Sequence, residues 1–113
     1  MIVDDHQIIR DGIKQLLDEE AEIKVVSEAT SVNDAIRQLD VIKPEIILTD
    51  LSMPERSGLE LAEYVKENMP EIKIAILSMH IEEAYILRSI NLGVKAYLPK
   101  DISKYELVEA IHQ

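Results

Sequence analysis

Short apolar runs alternate with longer amphipathic segments along the whole chain, and this alternation constrains the fold more than any other feature. The runs have the length of buried strands, whereas the segments between them repeat apolar residues at helical spacing. Five such pairs predict an α/β fold in which parallel strands are joined by right-handed crossovers, with helices on both faces of one sheet. The predicted strands are residues 1–3, 23–29, 46–50, 72–78 and 96–98. The predicted helices are residues 7–17, a segment capped by Ser31, residues 58–68, residues 82–92, and a last helix opened by a capping box at 103–106.

The composition favours one folded domain and excludes several classes of function. The chain has 113 residues, of which 47% are hydrophobic, enough for a single core. Its net charge of -10 argues against non-specific binding to nucleic acid or to an anionic membrane. Because there is no cysteine, disulfides, thiolate metal sites and cysteine catalysis are excluded. No apolar stretch approaches the roughly 20 residues that span a bilayer.

Carboxylates stand at the ends of two predicted strands. Asp4 and Asp5 follow the first strand, and Asp50 ends the third. Open α/β sheets bind ligands at the carboxyl ends of their strands, and these two strands are neighbours in the flavodoxin-like order 2-1-3-4-5. Carboxylate oxygens are ligands that Mg²⁺ prefers, so the three residues predict a cation site. An Asp pair before a helix also serves as a cap, but Asp50 at the matching strand end favours the metal.

Two further polar residues end predicted strands and suit phosphate chemistry. Ser78 closes the fourth strand with a hydroxyl donor, and Lys100 follows the fifth strand with a cation. Taken singly, Lys100 is read as a solvated surface residue and Ser78 as a hydroxyl satisfied at its strand end. Together with the carboxylates, they predict one site that binds a divalent cation and carries out phosphoryl chemistry.

This set of motifs resembles the receiver domain of two-component response regulators. The resemblance covers essentially the whole chain, and it implies a cytoplasmic protein with a flavodoxin-like (βα)5 fold in three α/β/α layers. The matching segments are residues 3–5, residues 48–54 with Gly58 following, residues 77–78, and residues 93–100. Residues 5–6, Gly12, 77–80 and 100–101 are similar to the branch that carries a LuxR/NarL-type helix-turn-helix output domain.

The resemblance implies which residues accept the phosphoryl group and hold the metal. Asp50 would be the phosphoacceptor, attacking the phosphohistidine of a sensor histidine kinase. Asp5, Asp50 and the backbone carbonyl of Ser52 would ligate Mg²⁺, and Asp4 would assist through a water molecule. Each of these residues stands at the matching position of the family motif.

The resemblance also implies the residues that respond to phosphorylation. Lys100 would pair with the phosphoryl group or, in its absence, with Asp50. Ser78 would move to bond a phosphoryl oxygen, and Tyr97 would change rotamer with it. Such a switch controls an output domain, expected here to be a DNA-binding transcriptional regulator. A homodimer is a further expected partner, whereas the chain itself is expected to bind neither nucleic acid nor membrane.

We expect residues 1–113 to be one receiver domain that is trimmed at both ends, with no output domain in the chain. Only three residues precede Asp4, whereas a typical strand has about 5–6 residues. The last helix is still apolar-periodic where the sequence stops at Gln113.

Some residues around the site depart from the family pattern. Proline precedes the lysine in Pro99-Lys100, whereas many receivers have the reverse order, so the cis Lys-Pro feature is not expected. Met79 follows the strand-end serine, where a small residue is common, and is expected to narrow access to the site. Ser52 and His80 occupy positions that tune the lifetime of the phosphoryl group, which we expect to be long.

Two features allow more than one interpretation. His6 is read as an exposed polar residue at a helix start, because an imidazole is a poor match for Mg²⁺ beside two hard carboxylates. The apolar residues of helix 82–92 do not fit one narrow stripe. This pattern indicates either a partner-binding surface or a helix that is simply more buried than its neighbours.

Three other functions fit parts of the pattern. An aspartate-nucleophile phosphatase would use Mg²⁺ on a related fold, but such enzymes usually carry a second Asp where this chain has Ser52. An interaction module that never takes phosphate is disfavoured by the complete set of polar residues. A flavin-binding module is least favoured, because no Ser/Thr/Gly-rich phosphate loop follows the first strand.

Overall fold

The computed structural model describes residues 1–79 and 82–112. Within them, five parallel strands form one sheet in the order β2-β1-β3-β4-β5, which confirms the predicted fold class. The strands are β1 Ile2–Val3, β2 Glu28–Ala29, β3 Ile46–Asp50, β4 Lys73–Ser78 and β5 Ala96–Pro99. The helices are α1 Gln7–Asp18, α2 Val32–Leu39, α3 Gly58–Asn68, α4 Glu83–Asn91 and α5 Lys104–His112.

Helices cover both faces of the sheet, because successive residues of a strand point to opposite faces. In β3, Ile47 belongs to the core beneath α2 and α3, and Leu48 belongs to the core beneath α1 and α5. The first core is closed by Leu39, Leu61 and Val65, and the second by Leu17 and Leu107. The domain therefore has the three α/β/α layers that were predicted.

Local signals in the sequence place the ends of several helices. The Ser31 hydroxyl accepts a hydrogen bond from the backbone amide of Asp34 at 3.0 Å and so caps α2. The Ser103 hydroxyl accepts from the Glu106 amide at 3.2 Å and donates to the Glu106 carboxylate at 3.1 Å, at the start of α5. Gly93, with a φ of +79°, ends α4 in the left-handed region that favours glycine.

Strand β2 is much shorter than the predicted span of residues 23–29. Only Glu28 and Ala29 pair with β1, opposite Ile2 and Val3. Because β2 lies at the edge of the sheet, β1 is its only neighbour, and the residues before Glu28 have no strand beside them to extend the ladder. Strand composition alone therefore overestimates the length of β2.

Helix α4 is not more buried than its neighbours. Ser89 is its only fully buried residue, and the large apolar side chains of Leu87 and Ile90 are exposed. The interpretation of this helix as an unusually buried element is therefore wrong, and the interpretation as a partner surface stays a prediction. Across the described ranges, no helix combines the length and the apolar character that a membrane span requires.

Candidate functional site

The sheet brings polar residues from four strand ends to one edge. Asp4 follows the last residue of β1, and Asp50 ends the neighbouring strand β3. Ser78 ends β4, and Lys100 follows β5. Since the strands are parallel and their registers match at this edge, all four residues leave the sheet on the same side. The predicted convergence of these residues is therefore a property of the fold.

Lys100 lies between the two buried carboxylates. Its Nζ is 3.2 Å from Asp4 Oδ2 and 3.2 Å from Asp50 Oδ1, and these two carboxylate side chains are only 3% and 5% exposed. Burial and the nearby charge of Asp4 raise the pKa of Asp50, although Lys100 acts in the opposite direction. Burial disfavours the charged form of Lys100, but the Asp50 and Asp4 carboxylates outweigh it, and the pKa of Lys100 is raised. One ammonium thus faces two carboxylates, and the remaining negative charge favours an added cation.

Asp5 and His6 complete the acidic end of the site. His6 Nδ1 lies 3.2 Å from Asp4 Oδ1 and 3.2 Å from Asp5 Oδ1. Asp5 Oδ1 is buried and, apart from this contact with the His6 ring, has no hydrogen-bond partner among the described residues. Ligand atoms of Asp4, Asp5, His6 and Asp50 all lie within 4.8 Å of one another. A buried carboxylate oxygen whose only described polar contact is with an exposed imidazole fits Mg²⁺, so Asp5 is well placed to ligate the ion.

His6 is exposed at the start of α1, as the sequence predicted, with 63% of its side chain accessible. Its contact with both carboxylates was missed by sequence reasoning, which set the residue aside as a poor partner for Mg²⁺. The only signal in the sequence was its position directly after the Asp pair.

Backbone groups near Asp50 also shape the site. The amide of Ser52 donates a hydrogen bond to the Asp50 carboxylate, which lowers the pKa of Asp50, although burial outweighs this effect. A Cβ atom at Gly58 would lie 2.2 Å from the carbonyl oxygen of Asp50. Position 58 must therefore be glycine for β3 and α3 to approach this closely, a requirement that the sequence showed only as a glycine at the helix start.

Arg10 is a second residue that sequence reasoning missed. Its Nη1 donates to the carbonyl oxygen of Asp4 at 2.7 Å, and its Nε lies 3.3 Å from a carboxylate oxygen of Glu28. These contacts tie α1 to the end of β1 and to β2. Arg10 lies about one turn into α1, and its spacing from Asp4 gave no separate signal in the sequence.

The two predicted switch residues lie in different surroundings. Ser78 is fully buried, and its carbonyl accepts a hydrogen bond from the Lys100 amide at 3.0 Å. Tyr97 lies in β5, where its side chain is partly buried against the core beneath α2 and α3. Met79 is exposed beside the site, whereas His80 lies outside the described residues.

Comparisons with known proteins agree with this arrangement. The response regulator receiver domain model matches residues 1–112. The response regulator protein VraR of Staphylococcus saprophyticus is 38% identical over 113 residues, which are all of this chain and 54% of that protein. The chain spans about half the length of the curated relatives it matches.

Two solved structures are similar over almost the whole chain. A LuxR-family two-component response regulator from Aurantimonas has a TM-score of 0.93 and 32% identity, covering 99% of this chain and 80% of that one. RcsB from Salmonella enterica, bound to promoter rprA in the presence of phosphomimetic BeF3⁻, has a TM-score of 0.89 and 28% identity, covering 98% and 93%. The chain therefore belongs to the response regulator receiver domains, and its relatives are regulators of the LuxR/NarL type.

Proposed function

We propose that this domain accepts a phosphoryl group on Asp50 from the phosphohistidine of a sensor histidine kinase. The observation that carries the proposal is the buried Asp50 carboxylate at the end of β3, paired with Lys100 and flanked by Asp4. In the transfer, a carboxylate oxygen of Asp50 forms a bond to phosphorus while the bond from phosphorus to the histidine nitrogen breaks. The electron pair of that bond stays with the imidazole of the kinase.

Asp5, Asp50 and the backbone carbonyl of Ser52 would hold Mg²⁺, with Asp4 contributing through water. The buried Asp5 oxygen, which no donor satisfies with good hydrogen-bond geometry, and the surplus of buried carboxylates support this assignment. When bound, Mg²⁺ offsets the negative charge of the incoming phosphoryl group.

Lys100 and Ser78 would respond to the transferred group. A phosphoryl group adds about -1.5 to -2 charges and three acceptor oxygens. Lys100 already contacts Asp50 and has two carboxylate partners, so its ammonium can pair with a phosphoryl oxygen and keep Asp4 as its second partner. The Ser78 hydroxyl, at the same edge, would donate to another oxygen, and Tyr97 two residues before Pro99 would change rotamer with it.

The output of this switch is proposed from the relatives. Since the chain covers about half of VraR and DegU, we take it as the receiver part of a longer regulator. DegU of Brevibacillus brevis is named a transcriptional regulatory protein, and RcsB was solved on a promoter. On these grounds a DNA-binding output domain is proposed for this protein, whereas homodimer formation and a cytoplasmic location are proposed from its membership of the receiver family.

Intact-protein mass spectrometry tests the proposal. After incubation with acetyl phosphate and Mg²⁺, the domain should gain the mass of one phosphoryl group, and chelation of the metal should prevent the gain. Asp50→Asn should gain nothing, whereas Asp18→Asn, at the exposed end of α1, should behave as the wild type. No gain by the wild type would instead favour an interaction module that never takes phosphate.

A further inference from the structure

We propose that His6 is a third side-chain ligand of the acidic site and shifts its preference from Mg²⁺ towards first-row transition-metal dications such as Ni²⁺. The inference rests on the proposed function, because it takes the cluster of Asp4, Asp5 and Asp50 to be a cation site. It goes beyond that function by naming a residue that decides which cations the site prefers.

The spacing of the donor atoms carries the proposal. His6 Nδ1 is 3.2 Å from Asp4 Oδ1 and 3.2 Å from Asp5 Oδ1. In an octahedral complex with bonds of about 2.1 Å, neighbouring ligand atoms lie about 3 Å apart. The imidazole nitrogen therefore lies at the distance from Asp5, a proposed direct ligand, that adjacent ligands of one ion adopt. Its approach to Asp4 Oδ1 is a hydrogen bond, and a cation bound at Nδ1 would take the place of the shared proton.

His6 is held in this position by its backbone and by a hydrogen bond between its Nδ1 and Asp4 Oδ1 at 3.2 Å. Its amide donates to Asp4 Oδ1 at 2.9 Å, and its carbonyl accepts from the amides of Ile9 and Arg10 in the first turn of α1. The residue occupies the N-cap position, but its side chain makes no capping hydrogen bond. The ring is thus placed over the carboxylates by the start of the helix, and its Nδ1 faces them.

The chemistry of the donor determines which ions benefit. Mg²⁺ prefers oxygen ligands and keeps several waters, so an imidazole adds little to its binding. Imidazole is a good ligand for Ni²⁺, Cu²⁺ and Zn²⁺. Ni²⁺ stands high in the first-row affinity series whatever the ligands are, so tight Ni²⁺ binding alone would not identify His6 as a ligand. The quantity that tests the proposal is therefore the change in Ni²⁺ affinity when the His6 imidazole is removed.

Calorimetric titration of the metal-free domain with Mg²⁺ and with Ni²⁺ measures that part. In His6→Phe, which keeps a ring but removes the nitrogen donors, the Kd for Ni²⁺ should rise at least about tenfold, with a much smaller change for Mg²⁺. His112→Phe is the matched control, since His112 lies at the end of α5 beside Glu22, and it should leave both constants unchanged. Equal changes for the two ions in His6→Phe, or no change for either, would overturn the proposal.

Zn²⁺ gives a readout that a purely structural role would not produce. In ¹⁵N-labelled protein, Zn²⁺ should move the Nδ1 resonance of His6 to the position of a metal-bound nitrogen, and an unmoved resonance would contradict ligation. The proposed function is tested separately, by phosphorylation of the wild type with Mg²⁺. Failure of that reaction would remove the phosphoacceptor role and still leave the metal titrations readable.

Discussion

The carboxyl ends of the strands form one side of the sheet, here called the carboxyl edge, and their amino ends form the opposite side, the amino edge. An ammonium group is buried at each, with opposite effects on its pKa. At the carboxyl edge, Lys100 lies 3.2 Å from both Asp4 and Asp50; burial opposes its charge, but the carboxylates raise its pKa. At the amino edge, the α-ammonium of Met1 donates to the carbonyl of Ile46 at 3.0 Å, and burial lowers its pKa to about 6. The same sheet therefore stabilises a buried charge at one edge and disfavours it at the other.

The difference comes from the groups that surround each ammonium. The groove at the amino edge is lined by apolar residues and by acidic and basic residues, but the Met1 ammonium itself donates to a neutral carbonyl. At the carboxyl edge, carboxylates follow β1 and end β3. The strands of an α/β sheet thus provide the frame, whereas the residues just past their carboxyl ends provide the chemistry.

The largest effect on stability is expected from removing the ammonium at the carboxyl edge. Lys100→Met leaves Asp4 and Asp50 buried together, and we expect it to lower the free energy of unfolding by about 3 kcal/mol at neutral pH. Protonation of the carboxylates should reduce this loss in acid. Urea denaturation measures it, with Lys104→Met as the control, because Lys104 pairs with Glu19 at the surface and should matter little. Equal losses in the two variants would remove the contrast between buried and exposed pairs.

Gly58→Ala tests the close approach that supports the carboxyl edge. The new Cβ would meet the Asp50 carbonyl at 2.2 Å, and we expect a loss of about 2–3 kcal/mol. Gly12→Ala, inside α1 with no atom within 4 Å of its added Cβ, should instead stabilise the domain by about 0.5–1 kcal/mol. Thermal unfolding of both variants checks the pair, and a tolerated alanine at 58 would show that β3 and α3 separate easily.

Burial of the Met1 ammonium at the amino edge should make the free energy of unfolding depend on pH. The pKa of the Met1 ammonium is lowered from 8.0 to about 6, so the unfolded chain binds more protons between these values. Its contribution to stability is present above pH 8 and is lost as the pH falls through 6, a change of about 2–3 kcal/mol. Acetylation of the amine keeps an N–H donor and should abolish this slope. If the free energy of unfolding still changed with pH after acetylation, groups other than the Met1 ammonium would be responsible.

A smaller effect is expected from neutralising Asp50. Because the pKa of Asp50 is raised, its contribution to stability is complete below the ordinary Asp pKa and is lost as pH rises through the raised value. Asp50→Asn should therefore be more stable than the wild type at neutral pH, by on the order of 1 kcal/mol, with the gain vanishing in acid. Denaturation at several pH values measures this difference. A destabilised variant at neutral pH would mean that the Lys100 pair outweighs the burial of Asp50.

Sequence reasoning succeeded where independent local signals agreed. Strand β3 and helix α3 have the predicted bounds, because an apolar run, a following loop and a proline after the helix all point to the same ends. The site followed from topology, since strand ends in a parallel sheet converge. The length of β2 depended on its pairing partner, and the contacts of His6 and Gly58 depended on how helices meet strands, which periodicity does not encode.

The position of the phosphoryl group tests most directly whether the residues at the carboxyl edge carry the chemistry of the domain. The domain would be phosphorylated with acetyl phosphate and Mg²⁺, the acyl phosphate reduced with borohydride, and the peptides mapped by mass spectrometry. We expect a single modified residue, Asp50, at the end of β3. Modification at Asp4 or Asp5 instead, or a chain that gains no phosphoryl group at all, would contradict it.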